Sequence, residues 1–242
     1  MAKHVLLNNV HHKNVRVLAH YAKEFADDVA SVLVFPPEFV ELQKEYPIFF
    51  QLDKQTIKYQ CVAILGLQKD ENLFLNNLSP LGWHADYIPA MMERGPFLIG
   101  FQQQDPLSDP SPVIHIDMQH PKVSNEKGQP LFLEHGGNSP YLNHVATRLQ
   151  AIHEGMAIQD KMFDCFQACD LIEPVNIEFD LINGEKCKLT GNFTINEEKL
   201  RALSAEQLFE LNQLGYLQFA YAAIASVTNI RKLVERKNAL LT

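Results

Sequence analysis

Only four cysteines and one tryptophan occur among the 242 residues, and cations are outnumbered, with Lys+Arg 21 against Asp+Glu 29. Four thiols in a chain of this size do not make a disulfide scaffold, so Cys61, Cys165, Cys169 and Cys187 are expected to be reduced, as in the cytosol. The net charge of −8 argues against a phosphate-tracking surface, and no nucleic-acid partner is expected. Long apolar runs are missing too. The first stops after Leu7, short of the roughly 7–15 apolar residues of a secretory signal. The longest weakly polar stretch, Leu217 to Val227, is well under the ~20 residues that span a bilayer. A cytoplasmic protein with no membrane span is therefore expected. Gly-x-Ser-x-Gly, phosphate-binding and dinucleotide-binding glycine motifs are absent, and nothing repeats at a fixed period.

What is present is a globular composition, 46% hydrophobic and 21% charged, which suffices for a packed core. The N-terminal half reads as strands: Val5–Val10, Val15–Ala19, Ser31–Phe35, Ile48–Leu52, Tyr59–Leu67, Phe97–Gln102 and Val113–Met118. A short helix is expected from Pro37 to near Tyr46, and a Pro/Asp/Ser loop from Asp105 to Pro112.

The second half changes period. Between Tyr141 and Ala168, Leu142, Val145, Leu149, Ile152, Met156, Phe163 and Phe166 follow helical spacing, with Ser139-Pro140 as cap and first turn and Pro174 as the stop. Val175–Ile182 and Glu185–Ile195 flank Asn183-Gly184 and predict a hairpin with a type I′ turn. Ser204-Ala205-Glu206-Gln207 matches a capping box opening the last helical region, which Gly215 splits or bends. The expected fold is α+β: a mainly antiparallel sheet from the N-terminal half plus the Asn-Gly hairpin, packed by two long helices, in one domain over residues 1–242.

Two constellations bear on function. His115 and Asp117 share one face of a predicted strand, the first part of a two-His-one-carboxylate Fe(II) site. A third ligand is harder to place. His144 and His153 lie nine positions apart, half a turn out of phase on one helix. The alternative is a hydrogen-bonded structural pair. The second constellation gathers Trp83, Tyr87, Arg94, Phe97 and Phe101, residue types enriched in binding hot spots. Its alternative is core packing, which aromatic residues also dominate. Cys165 and Cys169, at i and i+4, read as buried thiols rather than half of a metal site. His135-Gly136-Gly137 lacks the serine elbow of a lipase and reads as a turn.

Several segments together resemble the SapC-like family of bacterial proteins: Lys3-His4-Val5-Leu6-Leu7-Asn8, Tyr46-Pro47-Ile48-Phe49-Phe50, Glu71-Asn72-Leu73-Phe74-Leu75, Gly82-Trp83 and Tyr87-Ile88-Pro89-Ala90. The same order continues through Pro96 to Phe101, His115-Ile116-Asp117, Asp170-Leu171-Ile172-Glu173-Pro174 and Lys237-Asn238. The family name implies an association with a bacterial surface layer, and no catalytic residues carry over. The resemblance also implies a shared pathway with flavin-dependent tryptophan-halogenase-like proteins and TonB-dependent receptors.

The resulting expectation is a non-catalytic cytosolic binding or accessory protein with a peptide or protein partner and no cofactor. A surface-layer structural protein is one alternative. A metal oxygenase using Fe(II) at His115 and Asp117 is the other.

Overall fold

A computed structural model describes residues 3–103 and 111–241. The fold is α+β, with contacts grouped into two compact units interleaved along the chain. One unit holds the residues up to Asp27, Leu75–His84 and the described part of Ala90–Glu154; the other holds Asp28–Phe74, Ala85–Pro89 and the residues from Gly155 onward. No helix among the described residues is long and apolar enough to cross a membrane.

The first unit is built on two small antiparallel sheets. One has the order β1 (His4–Leu6), β7 (Ser111–Asp117), β6 (Phe97–Gln102); the other has β8 (Val123–Ser124), β2 (Arg16–Val17), β9 (Gln129–Pro130). Phe97 pairs with Ile116, and both are buried with Val15, Val17 and Leu131. Leu142, Val145 and Leu149, from the start of α3 (Pro140–Ala168), complete this core at the spacing expected of an amphipathic helix. β1 and β2 are shorter than Val5–Val10 and Val15–Ala19 because Asn8 folds the intervening chain into a turn, its Oδ1 accepting the Val10 and His11 N–H groups. Of the expected Asp105–Pro112 loop, residues 105–110 lie outside the described residues. Ser111 and Pro112 pair with Gln102 and Phe101 in β7. Pro112 is tolerated there because β1 pairs only with residues 115 to 117 of β7.

The second unit carries a five-stranded antiparallel sheet, order β10 (Ile172–Asp180), β11 (Lys186–Ile195), β4 (Ile48–Leu52), β5 (Tyr59–Ile64), β3 (Ser31–Leu33). Ile48, Phe49 and Phe50 are all buried, as a strand covered on both faces requires. Phe50 meets Phe163 of α3 edge-on at 5.0 Å, and the Ile48 N–H donates to Ser226 Oγ in α6 (Tyr216–Ser226) at 2.9 Å. Tyr46 packs against Phe74 with the rings tilted by 31° and centroids 4.4 Å apart.

Several local expectations change. The helix expected from Pro37 to Tyr46 is a 3-10 turn, Pro36–Glu38, followed by α1 (Phe39–Leu42). Pro174 does not stop α3. Asp170 does, at φ 52, with the Leu171 N–H donating to Phe166 O and the Asp170 N–H to Gln167 O, a Schellman ending. Pro174 sits instead inside edge strand β10, opposite Phe193. The hairpin is present, but its turn is not type I′, since only Gly184 of the Asn-Gly pair has positive φ (82). Leu181 N–H donates to Glu185 O and Gly184 N–H to Leu181 O, making a three-residue loop with a glycine bulge. After α4 (Glu197–Arg201), Ser204 and Gln207 form the capping box of α5 (Ala205–Gln213), and Gly215, at φ 75, separates it from α6. The last helical region then breaks again before α7 (Asn229–Ala239).

Candidate functional site

The structure separates the aromatic set. Trp83, Arg94, Phe97 and Phe101 belong to the first unit and Tyr87 to the second. Trp83 is 4% exposed and Phe97 fully buried, whereas Phe101 is 52% exposed with its ring 5.0 Å from His153. Arg94 follows α2 (Ala90–Glu93); its Nη1 donates to Phe97 O at 2.9 Å, and burial pushes its guanidinium pKa down. Tyr87 is tied into its own unit. Its hydroxyl donates to Glu38 Oε2 at 2.9 Å, and its carbonyl accepts from Tyr46.

Around Trp83 the first unit buries charge. Tyr21 meets Trp83 edge-on at 5.3 Å, and the Lys122 ammonium stands 4.1 Å above the Tyr21 ring centroid. Lys122 Nζ is 2.9 Å from Asp27 Oδ1, with the two side chains 4% and 8% exposed. The second Asp27 oxygen accepts the Ala22 N–H at 3.0 Å. Desolvation pulls the lysine below its ordinary value while Asp27 pulls the other way. Burial, reinforced by the Glu93 carboxylate, holds the Tyr21 phenol far above its ordinary value. Burial and the neighbouring Lys122 push His120 down. Glu93 in turn lies 3.3 Å from His144 Nε2 and pairs with Arg148. This is a desolvated scaffold of paired charges.

The His115–Asp117 face gains a neighbour that spacing did not supply, because β1 pairing puts His4 opposite Asp117. Among the described residues, however, no three His, Cys, Asp or Glu side chains converge as an ion site. Asp117 Oδ1 accepts the main-chain N–H groups of Lys3 (2.9 Å) and Gln119 (3.0 Å), which hold its carboxyl below the usual range. The His115 ring lies over Gly100, where an added Cβ would stand 2.5 Å from Nδ1.

An open concavity of this unit lies elsewhere. A groove of about 880 Å³ runs between the 10–16 segment and the chain following β9, with His11, Lys13 and Arg16 on one side and Phe132, Leu133 and Glu134 on the other. Val10, which also lines it, is 79% exposed and Leu133 52%.

Comparison with known families matches residues 7–233 to SapC. The chain belongs to the SapC family. No curated protein and no solved structure matches this SapC-family chain. The match spans both units, so the groove, the buried Lys122–Asp27 pair and the His115–Asp117 strand all fall inside the SapC region. Neither the groove nor the buried pair was legible in the sequence: Lys122 and Asp27 are 95 positions apart, and Lys13 and Arg16 look like ordinary surface cations. The one available signal was Asn8, a turn-forming residue placed just ahead of them.

Proposed function

We propose that this SapC-family protein is a non-catalytic binding or accessory protein that holds a peptide or protein partner in the groove of its first unit. The observation carrying this reading is a contrast in exposure. Val10 and Leu133 stand out at the groove, while Trp83 and Phe97 are sealed in the interior. Val10 and Leu133 line the same open groove, and apolar side chains gathered at one exposed concavity provide surface for a partner. The partners to test first are the flavin-dependent tryptophan-halogenase-like proteins and the TonB-dependent receptors that the resemblance implies, with a cytoplasmic setting favouring the former. Size-exclusion chromatography and titration of the purified proteins are expected to detect a complex. Val10→Asp with Leu133→Asp is expected to abolish it without moving the unfolding midpoint. An unchanged affinity in that double variant overturns the groove as the binding face.

The observation favouring a second reading, a metal-dependent oxygenase, is the register that sets His4 opposite Asp117 on the His115 face. The two main-chain N–H groups on Asp117 favour a turn-fastening role instead. Anaerobic Fe(II) titration separates the two. Stoichiometric binding lost in His115→Ala supports the oxygenase, and failure to bind ends it.

A further inference from the structure

The groove proposed above as the binding face also carries a charge that specifies what it takes, an inference that rests on that reading. The chain as a whole is acidic at −8, yet Lys13 and Arg16 line the groove, and neither has a carboxylate ion-pair partner among the described residues. Arg16 is held in place within β2, its Nη1 donating to Gly128 O at 3.0 Å, which leaves donors of the same planar fork for a ligand. The wall bearing Lys13 is also set in advance. Asn8 Oδ1 accepts the Val10 N–H at 3.1 Å and the His11 N–H at 2.8 Å. The buried His12 ring places Nδ1 3.2 Å from Asn8 N, and Val15 N–H donates to His12 O at 3.0 Å. A turn fastened at both ends loses little entropy on binding. Phe132 and Leu133 supply apolar surface to the same groove, and Glu134 is the one acidic lining residue among the described residues.

We infer that the groove selects an acidic peptide segment in extended form, with a carboxylate placed at Lys13 and Arg16 and an apolar side chain on Phe132 and Leu133. Charge complementarity decides between occupants. A second copy of this chain brings net negative charge with no segment singled out by the fold, whereas a short acidic–apolar peptide satisfies both walls of the groove.

The test uses the full chain and two fluorescein-labelled peptides of equal length. One alternates Asp or Glu with Leu or Phe, and the other carries Asn and Gln in place of the acids. The acidic peptide is expected to bind at least about tenfold more tightly than its amide twin, with the difference shrinking as salt is raised. Lys13→Glu with Arg16→Glu is expected to remove that preference, while Lys69→Glu, on an exposed turn of the other unit, leaves it unchanged. Retained Trp83 emission and an unaltered unfolding midpoint report a folded variant. Equal binding of the two peptides overturns the charge assignment and leaves the broader groove reading standing. So does the absence of peptide binding alongside a groove-dependent complex with the halogenase-like partner. Acidic-peptide binding unaffected by the double charge reversal overturns the location. Self-association abolished by that reversal makes the groove an interface between copies and also overturns the inference.

Discussion

Lys122 and Asp27, 95 positions apart, form an ion pair of 2.9 Å in which neither side chain is more than 8% exposed. Removing one partner leaves the other charged and desolvated. Asp27→Ala is therefore expected to cost about 3–5 kcal/mol, and the double variant Asp27→Leu with Lys122→Met to recover most of that loss. Denaturant unfolding followed through Trp83, the only tryptophan, measures both. Equal losses in the single and double variants would mean that the pair is not coupled.

Alkali should expose the same interior. Burial and the Glu93 carboxylate push the Tyr141 phenol up to about 12, from 10.0. Because the folded state holds its proton more tightly than the unfolded state, the stabilisation is complete below pH 10.0 and is lost as pH rises from there toward about 12. Near-ultraviolet absorbance should show late-titrating tyrosines in the native protein, one of which disappears in Tyr141→Phe. A native titration curve coinciding with the unfolded one would contradict this.

Tyr87 is expected to matter for stability rather than for partner binding. Its hydroxyl donates to the buried Glu38 carboxylate, as does the Phe35 N–H at 2.9 Å. Tyr87→Phe removes that donor and should cost about 1–3 kcal/mol. An unchanged unfolding midpoint combined with weakened partner binding would reassign Tyr87 to the binding face.

Gly155 inverts a common substitution rule. Glycine to alanine inside a helix ordinarily stabilises by about 1 kcal/mol. Here an added Cβ would stand 2.5 Å from Phe35 Cβ, so Gly155→Ala should destabilise by about 1–3 kcal/mol through overpacking. Calorimetry of Gly155→Ala alone and in a Phe35→Gly background checks the cause, since only loss of the Phe35 Cβ removes the contact, and the added methyl should then no longer destabilise.

Local patterns were readable where the controlling interaction is local. The three-and-four spacing of Leu142, Val145 and Leu149 defined the buried face of α3, and Ser204 with Gln207 marked the start of α5. Asn183-Gly184 correctly placed a hairpin but not its turn. A dipeptide expresses a φ preference, whereas the loop length follows from which residues the strands pair, and Leu181 bonds to Glu185. Pro174 misled for a similar reason. A missing N–H breaks a helix or a central strand but costs little on the outer edge of β10.

Periodicity, caps and turn residues, all settled by neighbours within a few positions, determined from the sequence alone that this is an α+β chain with a helical second half and a C-terminal hairpin. The second of the two long helices expected there is, however, broken into α5, α6 and α7. Which charges lie buried and which remain open was decided only by tertiary structure. Asp27 and Lys122 meet across 95 positions, while Lys13 and Arg16 line a groove without a carboxylate ion-pair partner among the described residues. Desolvation and ion pairing depend on what surrounds a side chain in space, and nothing in the order of residues states that in advance.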